Sequence, residues 1–270
     1  MATRRNTVES TSVLASLGGT VSNTDTVYFQ QFATKYLSAG DLSAADLTAV
    51  YFTEGCRCNF STDAGGGLKL VVNQTSTGVV VNRSACPQID IISTSASGVV
   101  YKVTHNGSGV MTLGTMAVNT VAALSGALTI GASVNATTVI VDGPDAAVTF
   151  IEDNSYPATT VEVNQGRLLM ARDFTTLTMR GTADVTLQSS TITGTTLTMN
   201  GGRLSVRNAS TVGTFNGYAG VVDCTQAETL PTFTTSVHHP GLVIRLRKGQ
   251  SEPTWGSLTE PYGSATRVYI

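Results

Sequence analysis

The chain has 270 residues, a formal net charge of −2, 13% charged and 6% aromatic residues, 27 Gly and 43 Thr. This near-neutral balance implies no general affinity for nucleic acid. Residues 103–141 contain no Asp, Glu, Lys or Arg, yet Asn, Ser, Thr and Gly interrupt them every few positions, which excludes a membrane span.

Residues 1–25 are polar and weakly patterned, with Arg4 and Arg5 near the start, and read as an N-terminal arm or cap. "MATRRNTVESTS" lacks an apolar run after its arginines, unlike a secretory signal. Synthesis in a cytoplasm and reduced cysteines are therefore expected. Residues 26–240 carry strand-like runs throughout: "TVYF", "LKLVV", "GVVV", "QIDII" and "GVVYKV" come first. "GDLSAADLTAV" could open a helical turn with Asp41 or Ser43 as its cap; within strands it reads better as a corner and a short strand. Cys56 and Cys58 form a CxC, and with Cys86 and Cys224 they match no standard zinc spacing; buried small hydrophobes are expected.

From Val118 onward the chain repeats itself. VNTVAA starts at Val118, ATTVIV at Ala136, ATTVEV at Ala158, FTTLTM at Phe174, GTTLTM at Gly194 and VGTFNG at Val212, at intervals of 18, 22, 16, 20 and 18 residues. Each copy has Thr third, and the first five have an aliphatic residue fourth. A period of about twenty residues is the signature of a stacked solenoid. Inside each copy, apolar residues stand two apart, as in Val161/Val163, Leu168/Met170, Leu177/Met179, Val185/Leu187, Leu197/Met199 and Leu204/Val206. That is the period of a half-buried strand. Gly181, Gly194, Asn200, Gly201, Gly202 and Asn208 fall between the pairs, where tight turns are needed. The pattern predicts an all-β chain. Its fold is a parallel β-solenoid (β-helix) with rungs of about 16–22 residues, two or three very short strands per rung, and non-repeat terminal segments. Leu177, Leu197 and Leu204 should be buried and stacked on equivalent residues of adjacent rungs.

Some β-helices cleave polysaccharides with outward carboxylates. The candidates are Asp142, Asp145, Glu152, Asp153, Glu162, Asp173 and Asp184. Asp142 and Asp145 flank a Gly-Pro turn, and Glu162 has no second carboxylate predictably beside it. His238 and His239 are adjacent, so on an extended segment they face opposite ways and chelate poorly. No nucleophile elbow, phosphate loop or metal-spaced His cluster occurs. No catalytic residue, metal ligand or cofactor is expected.

Residues 241–270 change character, and the rung repeat is expected to stop at Gly241. They hold the only Trp, Trp255, with Leu242, Ile244, Leu246, Tyr262, Val268, Tyr269 and Ile270. Arg245 and Arg247 alternate with Leu246, which places both guanidinium groups on one strand face. Trp, Tyr and Arg most often dominate interface energy. Arg245, Arg247, Trp255, Tyr262, Tyr269 and Ile270 are thus candidate interface residues, with "ATRVYI" able to pair with a neighbour's strand edge. The alternative is a cap on the chain's own last rung.

The span "DTVYFQQFATKYLSAGDLSAADLTAVYFTEGCRCNF" and the rungs after it resemble solenoid proteins encoded near capsid and tail genes of tailed bacteriophages. In those proteins a DTVY-like strand and a DLSA-containing stretch precede Gly/Thr-rich rungs. The resemblance covers roughly residues 25–225. It implies a virion structural protein, made in the host cytoplasm and carried on the particle as a capsid decoration or cement protein. A tail fibre or spike binding a host-surface glycan is the alternative, and a bacterial adhesin-like solenoid a third. The implied partners are the major capsid protein or other virion proteins, and further copies of the chain in a homotrimer. Neither nucleic acid nor membrane is expected as a partner.

Overall fold

The computed structural model describes residues 2–5, 22, 25–30, 41–57, 69–73, 78–92, 99–153, 155–189 and 192–270. Every regular element among them is a β-strand, and the strands stack in parallel as the coils of a β-solenoid. The chain forms two compact units, Met1–Ala136 and Thr137–Ile270.

The first unit contains β1 Thr3–Arg5, β2 Thr26–Phe29, β3 Asp41–Asp46, β4 Ala49–Phe52, β5 Lys69–Asn73, β6 Val79–Asn82, β7 Gln88–Ile92, β8 Val99–Leu113 and β9 Met116–Ile130. One face stacks β1, β2, β4, β6 and the first halves of β8 and β9. The other stacks β3, β5, β7 and the second halves of β8 and β9. Period-2 alternation decides what faces in. Val27, Val50, Val80, Val103 and Val121 pair in register into one buried row. On the opposite side of the same strands Tyr28 stacks on Tyr51 at 4.8 Å, with the Arg5 guanidinium 5.7 Å from the Tyr28 ring. "GDLSAADLTAV" supplies β3 and most of its link to β4, so strand and corner win over a helical turn. Residues 1–25 are not wholly outside the stack. Thr3–Arg5 pair with Thr26–Tyr28, and Asp25 Oδ1 accepts the Ala2 N–H at 2.9 Å.

The second unit holds most of β10 Val134–Phe150, then β11 Ala158–Met170, β12 Phe174–Met179, β13 Asp184–Leu187, β14 Thr193–Val206, β15 Thr211–Asp223, β16 Thr232–Leu246, β17 Thr254–Thr259 and β18 Thr266–Tyr269. Val139, Val161, Leu177, Leu197 and Phe215 form one buried row. Val148, Leu168, Val185, Leu204, Val222 and Ile244 form another. The three leucines singled out by the repeat are each 0% exposed and stacked as expected. The Thr at the third repeat position makes an outer row: Thr138, Thr160, Thr176, Thr196, Thr214 and Thr235. Size alternates within rows where rings need room. The Phe174 ring occupies the space that a side chain on its partner Gly194 would fill.

Two expectations are corrected. The strands are not all very short: β11, β14, β15 and β16 run for 13, 14, 13 and 15 residues. Each passes from one face to the next through a corner where the register slips but the pairing continues. Glycines make this possible. Gly202 has φ +80° at the β14 corner, and a Cβ there would run into the Ala183 carbonyl oxygen. Gly202→Ala is therefore expected to destabilise the chain by more than about 1 kcal/mol, since the left-handed conformation alone costs an L-residue roughly 1–2 kcal/mol. Urea denaturation would measure this; an unchanged midpoint would contradict it.

The repeat also does not stop at Gly241. That residue lies inside β16, and residues 254–269 form a further coil. Phe233 pairs with Trp255, Ser236 with Leu258, and Val243–Leu246 with Thr266–Tyr269. The sequence motif fades because the inward positions of the last coils are no longer uniformly aliphatic.

Candidate functional site: the C-terminal coil

Inward positions turn polar toward the C-terminal end of the second unit. The row Val139 to Phe215 continues with Ser236, and the row Val141, Val163, Met179, Met199 continues through Gly217 to His238. Gly217 leaves room for the Phe215 ring and the Leu242 side chain. Ser236 and His238 are each 0% exposed. Ser236 Oγ and both ring nitrogens of His238 lack a hydrogen-bond partner among the described residues. Buried polar groups are nearly always paired, so this concentration marks the end of the coil stack as unlike the rest of the core.

Aromatic rings close over them. Phe215, Phe233 and Trp255 stack with centroids 5.0 and 4.7 Å apart. The His238 ring meets Trp255 edge-on at 4.4 Å. Three charged groups, Glu252 and Glu260 from corners and Arg267 from β18, hold Trp255 in place. Glu252 Oε2 accepts the Trp255 indole N–H at 3.1 Å. Arg267 Nε lies 3.3 Å from Glu252 Oε1, and Arg267 Nη1 lies 3.3 Å from Glu260 Oε1. Arg267 Nη1 also donates to the Ala265 carbonyl at 2.8 Å, and Ser264 Oγ donates to Glu260 Oε2 at 2.6 Å. The Ser264 hydrogen bond, aided by Arg267 and the Ala265 N–H, holds the Glu260 carboxyl below its ordinary range despite some burial. His238 Nδ1 is 3.8 Å from Glu260 Oε1, too far for a hydrogen bond. Burial, reinforced by Arg267 and opposed by Glu260 and Glu252, pushes the His238 pKa down to about 4. The imidazole is neutral at pH 7.

This coil exposes several large apolar side chains among its polar ones. Leu258, Tyr262, Tyr269 and Ile270 are 38%, 77%, 53% and 66% exposed, four of the ten large exposed hydrophobics among the described residues. Tyr218, His239 and Tyr262 form an outer ring ladder at 4.6 and 5.4 Å, with Tyr262 at its open end. Arg245 is half-buried on the second face of β16, and Arg247 is exposed just past its end, flanking buried Leu246. Trp255 is half-buried in β17; Tyr269 closes β18 and Ile270 follows it. "ATRVYI" pairs along one edge with the chain's own β16, and Ile270 N–H donates to the Leu246 carbonyl at 3.0 Å. Only its other edge is open to a neighbour among the described residues. The structure thus brings Trp255 together with Glu252, Glu260, Arg267 and His238, four residues absent from the candidate interface set.

The outward carboxylates considered as catalysts are dispersed, and several have local donors. Glu162 faces Arg180 at 3.6 Å, Asp173 Oδ1 accepts the Thr193 N–H at 2.6 Å, Asp153 Oδ1 accepts the Ser155 N–H at 2.8 Å, and Glu152 Oε1 accepts the Ser189 hydroxyl at 2.6 Å. Asp142 and Asp145 are exposed at the β10 corner. Glu152 lines an open groove of about 420 Å³ with Gln188, Ser189 and Asn208. Cys56, Cys86 and Cys224 are buried; Cys58 lies outside the described residues. Among the described residues no group of three or more His, Cys, Asp or Glu is placed to hold a metal ion. Searches against family models, curated proteins and solved structures found no match to this chain.

Proposed function

We propose that the chain is a non-enzymatic structural protein that attaches to a larger assembly through its C-terminal coil. The observation that carries this reading is the exposure of Leu258, Tyr262, Tyr269 and Ile270 on a surface whose strands, among the described residues, are paired along one edge only. The Glu252–Arg267–Glu260 network fixes that surface in one shape, which lowers the entropy lost on binding. Trp255, half-buried and stacked on Phe233, is a rigid aromatic anchor on the same coil. The resemblance in residues 25–225 supports a tailed-bacteriophage virion as the assembly, with the chain as a capsid decoration or cement protein outside the particle. Partners are then the major capsid protein or other virion proteins, and two further copies in a homotrimer. A tail fibre or spike that binds a host-surface glycan is the second reading. It is favoured by the groove lined by Glu152, Gln188 and Asn208 together with Phe150 and Leu169, a mix of polar and apolar groups.

The double substitution Tyr269→Ser/Ile270→Asp tests the docking reading. Both side chains are exposed, so stability should change by no more than about 0.5 kcal/mol per site. The expected result is a folded protein that loses self-association by light scattering and no longer joins particles. Association equal to the unmodified chain's would refute docking through this coil. Mass spectrometry of purified particles separates heads from tails, and absence from both would remove the virion assignment.

A further inference from the structure

The corners after β4 and β6 occupy equivalent places in consecutive coils of the first unit, since Ala49–Phe52 pair in register with Val79–Asn82. Cys56 follows Phe52 by four residues, and Cys86 follows Asn82 by four. The two cysteines are therefore stacked. Their exposures are 0% and 1%, and their Sγ atoms lie 3.3 Å apart. Cys86 Sγ is also 3.4 Å from the Cys56 carbonyl oxygen.

The corners hold both residues in place. Asn82 Oδ1 accepts the Ser84 N–H at 2.9 Å and the Ser84 hydroxyl at 2.6 Å, and Ser84 Oγ accepts the Cys86 N–H at 3.3 Å. The Cys56 N–H donates to the Thr53 carbonyl at 2.9 Å. Equivalent residues of adjacent strands are about 4.8 Å apart. That spacing falls inside the roughly 4.4–6.8 Å Cα separation a disulfide requires. The sulfurs, 3.3 Å apart, must approach by little more than about 1 Å to reach the roughly 2.05 Å of a disulfide bond.

We propose that Cys56 and Cys86 are a disulfide-forming site that staples two consecutive coils. The oxidant is a low-molecular-weight disulfide such as glutathione disulfide. One protein thiolate attacks a sulfur of that disulfide, forms a mixed disulfide and expels one small thiolate. The second protein thiolate attacks the protein sulfur of the mixed disulfide and expels the other. The two protein thiols lose two protons and two electrons, and the small disulfide becomes two thiols. Because both cysteines are buried in the finished coil, exchange takes place while the corners are open, when the chain folds or reopens in an oxidising medium; in a reducing cytoplasm the pair stays as two thiols. The closed loop spans 30 residues, long enough for the bond to restrict the unfolded chain substantially. Cys224 is an internal control. Burial, then the neighbouring Asp223 charge, push its thiol pKa up to about 12, and no other cysteine contacts it among the described residues.

The test is peptide mapping of the full chain refolded in a glutathione redox buffer, with free thiols alkylated in denaturant and digestion without reductant. Trypsin cuts after Arg57 and so separates Cys56 from Cys58. The expected product is a Cys56–Cys86 linked peptide pair, with Cys224 alkylated. Reductant should lower the melting temperature of the oxidised wild type by several degrees and leave Cys86→Ser unmoved. A Cys56–Cys58 link, full alkylation of Cys56 and Cys86 after oxidative refolding, or thiol protection that a zinc chelator removes would each overturn the proposal. The mapping uses the unmodified chain, so it stands even if Cys86→Ser folds poorly.

Discussion

Leu197→Ala is expected to destabilise the protein by about 2–5 kcal/mol, toward the upper end of that range. Leu197 is 0% exposed and stacked between Leu177 and Phe215. The magnitude depends on how far the site can collapse around the lost atoms. Here collapse is resisted along the row, because the main-chain ladder fixes the separation of adjacent strands at about 4.8 Å. The cavity left by the truncated side chain therefore persists, and its lining loses dispersion contacts outright. Thr196→Ala, one position earlier and facing outward, is the control and should change stability by less than about 0.5 kcal/mol. Urea denaturation followed by circular dichroism measures both. A Leu197→Ala loss under about 1 kcal/mol would contradict the stacked-row account. A changed m-value would show that the substituted coil divides the second unit into separately melting segments.

Acidification from pH 7 to pH 5 should cost about 4 kcal/mol, and His238→Met should remove about half of that loss. Burial is the first cause of the depressed pKa at both His238 and His105, each pushed down to about 4. At His238 the Arg267 charge adds to burial, while Glu260 and Glu252 oppose it. At His105 backbone hydrogen bonds oppose it, and Asn82 Nδ2 lies 3.0 Å from His105 Nδ1. Between pH 6.5 and 4 the unfolded chain binds protons that the folded chain excludes. Stability is then complete above pH 6.5 and falls as pH drops through that window, by roughly 2 kcal/mol per histidine at pH 5. Methionine matches Met179 and Met199 in the same row and removes two unpartnered polar atoms, so His238→Met should be neutral or stabilising at pH 7. Melting temperatures of both proteins across pH 4–8 decide the matter. Parallel pH profiles would show that His238 is not a source of the acid sensitivity.

How much of this was legible differs by region. The repeat from Val118 to Val212 identified the solenoid and placed Leu177, Leu197 and Leu204 correctly, because aliphatic residues at fixed offsets report burial directly. Two later copies went unread. "FTTSVH" at Phe233 and "WGSLTE" at Trp255 occupy the same strand positions as "FTTLTM". The first puts Ser and His where an aliphatic pair is the usual signal, and the second puts Glu260 where the earlier copies have Met. The residues that disguise the repeat are the ones that build the terminal site. Glu252, Glu260 and Arg267 could not be grouped from sequence, because no periodic spacing links them; the turn of the last coil brings two corner residues against one from β18. The length of the strands was also hidden. Gly202 and its neighbours look like interruptions in a sequence, while in space the ladder runs on around them.

The unequal coils of the second unit carry a further implication. Ala158 pairs with Phe174 after 16 residues, whereas Phe174 pairs with Gly194 after 20. The paired segments keep their lengths, so the corners absorb the difference. A surface loop's closure entropy grows only logarithmically, by about 0.6 kcal/mol for each doubling of its length. A guest peptide spliced into a corner such as Arg207–Asn208, which is exposed to half-buried between β14 and β15, would add little to that entropy and leave the buried rows in register. Each coil is in this sense a rigid frame with a replaceable segment, and peptides grafted at successive corners would be held at the fixed pitch of the strands beneath them.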